Sequence, residues 1–75
     1  MKNIIYIEIY KGDDYYVAEG LNLPVVSQGK TLDEAVNNIK EAIELTLEDE
    51  NLADFDFVEN PQVLVNFELS RAVYA

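Results

Sequence analysis

The chain has 75 residues, with fifteen acids against five bases for a formal charge of −10, and contains neither cysteine nor histidine. Without cysteine there is no disulfide framework and no thiolate metal site, and without histidine the commonest zinc ligand and general base is missing, so catalysis and a bound cofactor are not expected. A balance this acidic repels phosphate backbones and anionic membranes, which argues against direct nucleic-acid binding. Residues 1–75 make one domain, and a domain of this size buries only about 60% of its unfolded surface, so self-association is the expected source of further stability. No apolar run approaches the roughly 20 residues that a membrane span needs, and Met1-Lys2 leads into strand-like alternation rather than a signal peptide, which predicts a cytoplasmic protein.

Asn3 to Tyr10 alternates so that Ile5, Ile7 and Ile9 share one face and Ile4, Tyr6, Glu8 and Tyr10 the other. That is a strand. Its second face is half apolar, which places it inside a sheet. Lys11-Gly12-Asp13-Asp14 has the residues of a tight turn and predicts a hairpin onto a short second strand, Tyr15 to Glu19. Gly20 to Pro24 reads as a connector and Val25 to Gln28 as a third strand.

The stretch from Ser27 to Glu50 holds the one segment long and periodic enough for a helix. Thr31 reads as its N-cap, and Glu34 three residues on predicts a capping box in which each side chain satisfies the other's backbone N–H. Leu32, Val36, Ile39 and Ile43 fall on one stripe, bordered by Ala35, Thr46 and Leu47. Burial of those four central residues amounts to about 6–12 kcal/mol gross. The opposite face carries Asp33, Glu34, Asn37, Glu41, Glu44 and Glu48. After Glu50 the pattern fails, and residues 51–59 read as a loop ending at the turn pair Asn60-Pro61, with Phe55 and Phe57 folding back onto an open end of the core. Val63 to Ser70 alternates again, Val63, Val65, Phe67 and Leu69 against Leu64, Asn66 and Glu68, and predicts a fourth strand. Placed parallel beside strand one, it makes the fold α+β: β-β-β-α-β, a four-stranded, mostly antiparallel sheet in the order 3-2-1-4 with the helix on one face. Tyr6, Tyr10, Tyr15, Val17 and Leu64 then line part of the uncovered face, an exposed patch of the kind that marks association.

The residues Asp14-Tyr15-Tyr16-Val17-Ala18, Leu23-Pro24, Ser27-Gln28-Gly29, Thr31-Leu32-Asp33-Glu34-Ala35 and Asn38-Ile39-Lys40-Glu41-Ala42-Ile43 carry a further signal, because as a constellation they resemble the HicB-type antitoxins. Val25 and Val26 stand where that family usually continues Leu-Pro with Gly and Cys or a similar residue. The resemblance implies a partial ribonuclease-H-like fold. It also implies a function, binding and masking a HicA-type messenger-RNA-cleaving ribonuclease toxin, with a small basic protein as partner. Family members that repress their own operon add a C-terminal DNA-binding domain, and the residues after Ser70 are too few to form one, so autoregulation by this chain is not expected.

Each chemical feature has a plain alternative. Asp13-Asp14 can bind a cation, but turns select Asp for backbone reasons alone. Asp54 and Asp56 have the i, i+2 spacing of a calcium loop without its Gly and terminal Glu. Ser27 and Ser70 have no histidine to activate them. The five tyrosines lack the interleaved basic residues of a base-stacking platform and fit protein contacts better. Glu44, Glu48, Asp49 and Glu50 crowd the helix C-terminus, where the dipole disfavours negative charge, and this reads either as a solvated end or as a docking surface for a basic protein. Expected partner-binding residues are therefore Glu41, Glu44, Glu48, Asp49 and Glu50. Val63, Val65, Phe67 and Leu69 form the expected edge-strand interface of a homodimer or higher homo-oligomer. The alternative is a stand-alone oligomeric binding module without a toxin.

Overall fold

The structure is a computed structural model that describes residues 2–49 and 57–68. Its elements are β1 (Lys2–Lys11), β2 (Tyr16–Gly20), β3 (Val26–Gly29), α1 (Leu32–Asp49) and β4 (Phe57–Phe67). They form an α+β fold with one sheet in the order β3-β2-β1-β4. The β1–β2 and β2–β3 pairs are antiparallel and β1–β4 is parallel, as expected from the sequence. A parallel neighbour cannot be reached by a tight turn, and α1 lies in the crossover between β3 and β4.

The core sits between the sheet and α1. Ile5, Ile7 and Ile9 of β1 are completely buried, and with Ala18, Leu23, Val25, Ile39, Ile43 and Phe57 they make one cluster. The helical stripe is rotated from the expected one. Ala35 is fully buried whereas Leu32, expected at the stripe's centre, is 36% exposed, so only part of its expected burial energy is realised. The reason lies at the start of the helix. A Cβ on Gly29 would stand 2.5 Å from the Ala35 amide nitrogen and 2.7 Å from the Glu34 Cβ, so β3 and the first turn of α1 approach too closely for any side chain at position 29, and they meet beside the buried Ala35. Asn38 adds a tether there, its Nδ2 donating to the Gln28 carbonyl at 2.8 Å.

Two short connections set the antiparallel strands. The Gly12 N–H donates to the Tyr15 carbonyl at 2.7 Å, closing the expected hairpin turn. At the other end of β2, strand pairing with β1 stops at Ile7 and Gly20. The Leu21 N–H still donates to the Tyr6 carbonyl at 2.8 Å, but the Tyr6 N–H and the Ile4 carbonyl have no strand partner on that side. Asn22 replaces the missing strand: its Oδ1 accepts from the Tyr6 N–H and its Nδ2 donates to the Ile4 carbonyl, each at 2.9 Å. From the sequence, residues 20–24 read only as a connector, and the part played by this side chain is not visible there.

The fourth strand begins earlier than expected. Phe57 to Pro61, read as loop and turn, belong to β4: Lys2 pairs with Phe57 and Ile4 with Gln62, so the chain between them forms a wide bulge. Asn60 adopts a left-handed backbone with φ 58°, and asparagine bears that conformation at less cost than most residues. Asn-Pro is thus a break inside a strand instead of its boundary. Phe57 does enter the core, while Phe55, Leu69 and Ser70 lie outside the described residues.

Replacing Asn22 by Ala removes both bonds to β1 and should lower stability by about 1–2 kcal/mol. Asn22→Asp should be no better, since it sets a carboxylate oxygen against the Ile4 carbonyl. Urea unfolding gives the measure, read as a lower midpoint at unchanged slope. Equal stability of Asn22→Ala and the wild type would show that solvent serves those groups as well as the side chain does.

Candidate functional site

The acidic stripe is built on α1. The Thr31 Oγ1 accepts from the Glu34 N–H at 3.1 Å, as an N-cap should. The Glu34 carboxylate reaches one residue further back than expected, accepting from the Lys30 N–H at 2.8 Å, so the box closes around the residue before the cap. With the N-terminus held in this way, the periodicity of α1 places Glu41, Glu44 and Glu48 at spacings of three and four, on one exposed side. Asp33 and Glu34 suit the first turn, but the last turn has no basic residue, and Lys40 is the only one in the helix. A shallow depression of about 340 Å³ runs beside this stripe, lined by Asn37, Asn38, Lys40, Glu41 and Glu44. Asp49 ends α1, and Glu50 lies outside the described residues.

A second feature could not be read from the sequence. The helix lies closest to β3 and β2, on the far side of the sheet from β4. Val63, Val65 and Phe67 pair beside Ile5, Ile7 and Ile9 and share their face, yet remain 47%, 37% and 41% exposed. Between α1 and β4 runs an apolar groove of about 700 Å³. Ile39, Ile43 and Leu47 form one wall and Val63 and Val65 the other, with Ile5 between them. Lys40, Glu44 and Glu59 bring charge to it, and Asn60 and Pro61 of the bulge also line it. Phe67 packs on Tyr16 with ring centroids 5.9 Å apart.

The other sheet face carries Ile4, Tyr6, Glu8 and Tyr10 of β1, Val17 and Glu19 of β2, and Leu64 and Asn66 of β4, by strand alternation and register. Glu8 and Glu19 stand directly opposite each other, a like-charge cross-strand pair that costs stability. Tyr6, Tyr15 and Leu64 are exposed.

The remaining carboxylates are arranged for solvent. Asp13 and Asp14 are exposed at the hairpin turn, and among the described residues no three acids converge on a point where a metal ion could be held. Asp54 and Asp56 lie outside the described residues. Ser27 is half-buried within β3, where strand pairing places it opposite Ala18. Among the described residues no helix is long and apolar enough to cross a membrane.

Fold and surfaces of the described residues together define an α+β domain with one helix, a carboxylate stripe, an apolar groove and a sheet face away from the helix. Compared with known proteins, the chain matches no family model, no curated protein and no solved structure.

The acidic end of α1 works against its own helix. Glu48→Lys replaces an unfavourable charge in the last turn with a favourable one and gives Glu44 an oppositely charged neighbour at i, i+4, so it should stabilise the domain by about 0.5–1 kcal/mol at low salt. Thermal unfolding at low and high NaCl checks this, the gain shrinking as salt screens it. A lower melting temperature at low salt would mean that Glu48 makes a favourable contact within the monomer.

Proposed function

We propose that this chain is a non-catalytic, antitoxin-like cytoplasmic inhibitor that binds a small basic ribonuclease of the HicA type and masks its RNA-gripping surface. One observation carries the reading: Glu41, Glu44 and Glu48 line one exposed side of α1, and Glu48 stands in the last turn, where the helix dipole opposes it. Negative charge placed against local stability is accounted for when something else neutralises it. A nuclease that holds RNA must present positive charge. A chain of charge −10 competes for that surface and approaches it quickly. The resemblance of residues 14–43 to the HicB-type antitoxins supports the same reading. A stand-alone oligomeric module is the second reading, and the apolar groove beside β4 is the observation that favours it.

The test is binding to the product of a small, basic, histidine-containing reading frame adjacent to this gene, with inhibition of RNA cleavage as the second readout. Glu41→Lys/Glu48→Lys reverses charge without harming the helix, since a lysine in the last turn suits the dipole. The double variant should associate about tenfold more slowly at low salt and show a weaker salt dependence, because exposed charges act chiefly on association. If the wild type neither binds nor inhibits such a product, the module reading replaces this one. If the double variant binds with unchanged rate and salt slope, the stripe is a solvated surface and the inhibitor uses another face.

A further inference from the structure

We infer that the edge of β4 beside the α1–β4 groove, which no described strand covers, pairs antiparallel with β4 of a second copy of this chain. The direction of the backbone groups shows which residues are open to pairing. The Glu68 N–H donates to the Ile9 carbonyl at 2.8 Å, so Glu68, and by alternation Gln62, Leu64 and Asn66, direct their N–H and C=O groups toward β1. The N–H and C=O groups of Val63, Val65 and Phe67 therefore point the other way. No strand among the described residues lies on that side.

The two sheet edges differ in how they are protected. β3 is only four residues long, and the start of α1 lies against it. β4 is eleven residues long, and its bulge and proline break only the first part. Long edges that face water are ordinarily blunted with charge. Here Asn60 to Phe67 is an uncharged run in a chain of charge −10, with Glu59 and Glu68 standing just outside it. Two copies of so acidic a chain repel one another over most of their surfaces. Along this strip the repulsion is least, and the strip is apolar as well.

Geometry then selects the arrangement. In an antiparallel pair, the residues that exchange both hydrogen bonds are those whose groups point outward, so Val63, Val65 and Phe67 of one copy face the same set in the other. A two-fold axis perpendicular to the sheet satisfies this and keeps both sets of side chains on the helix-bearing face. With Val65 near the axis, Phe67 of the second copy stands opposite Val63, on the β4 side of the groove. Val63, Val65 and Phe67 of each copy then flank those of the other, and the two apolar grooves meet across the axis. The result is a continuous sheet, β3-β2-β1-β4 meeting β4-β1-β2-β3, with both helices on one side. Such a dimer does not depend on the ribonuclease reading, which concerns the exposed carboxylates of α1.

Sedimentation equilibrium of the full chain, without any partner, tests it. The expected mass is twice 8.5 kDa at micromolar concentration. The dissociation constant should fall as NaCl rises from about 50 to 500 mM, because salt screens the repulsion between two acidic chains. That is opposite in sign to complex formation with a basic ribonuclease. Val65→Pro removes an N–H that points away from β1, so it spares the β1–β4 ladder, and Val65→Lys sets two like charges across the axis. Both should weaken association at least a hundredfold with unchanged far-ultraviolet circular dichroism, while Leu64→Lys, on the opposite face, should leave it intact. Should either Val65 variant unfold, amide exchange of the wild type decides: Val63, Val65 and Phe67 exchange slowly if the edge is paired and rapidly if it is open. A monomeric wild type at ~100 μM, rapid exchange at those amides, or a dimer broken by Leu64→Lys but not by Val65→Lys overturns the inference.

Discussion

The pairing of β1 on both sides is the constraint from which the rest of the fold follows. Its Ile5, Ile7 and Ile9 are removed from water by α1 above, while β2 and β4 take up its backbone groups to either side. A one-residue slip of β1 would turn those isoleucines to the open face and bring Tyr6, Glu8 and Tyr10 under the helix, placing a carboxylate in an apolar core. The register is held where strand pairing ends. Asn22 bonds β1 at Tyr6 and Ile4 just past the last β1–β2 pair, and the bulge at Asn60 restores the β4 register at Gln62.

A single helix cannot cover a sheet of this width. Four strands at about 4.8 Å spacing set their outer axes about 14 Å apart, whereas a helix with its side chains is about 10–12 Å across. One edge must go uncovered, and the start of α1 decides which. Gly29 and Asn38 seat the helix against β3, the strand it follows directly, so among the described residues the edge without helix above it is β4. The groove is therefore a consequence of strand number and helix anchoring rather than of defective packing. Its apolar lining has the composition of a core with one wall missing.

Charge divides the surface in a complementary way. Acids occupy the solvent side of α1, the hairpin turn and the open sheet face, while the strip from Asn60 to Phe67 has none. A cationic surface is thereby attracted to one side of the domain, while repulsion between two like copies is weakest at another. Glu44 stands at their boundary, since it lines both the groove and the shallow depression of the acidic stripe. A protein of this size has few surfaces to distribute, and uneven charge keeps them distinct.

Local chemistry alone determined the main element types, the hairpin at Gly12 and the N-cap at Thr31, and the rule for crossover connections added the strand order. Each of the local features depends on a short-range pattern: period two in Ile5-Ile7-Ile9, period 3.6 in α1, or a turn residue in place. The grouping of Glu41, Glu44 and Glu48 was legible for the same reason, because residues on one side of a helix are set by spacing. Only tertiary structure decided that Leu32 is exposed while Ala35 is buried, for that depends on how closely a neighbouring strand approaches. Nor could spacing disclose that Asn22 stands in for a strand sixteen residues away, or that Asn60-Pro61 breaks a strand without ending it. Proline reads locally as a stop, and whether the chain resumes the same strand depends on the neighbour waiting to pair with it. The groove is the clearest case. Its walls come from residues about twenty apart in the chain, and it exists because the helix docks on one side of a sheet that is wider than itself.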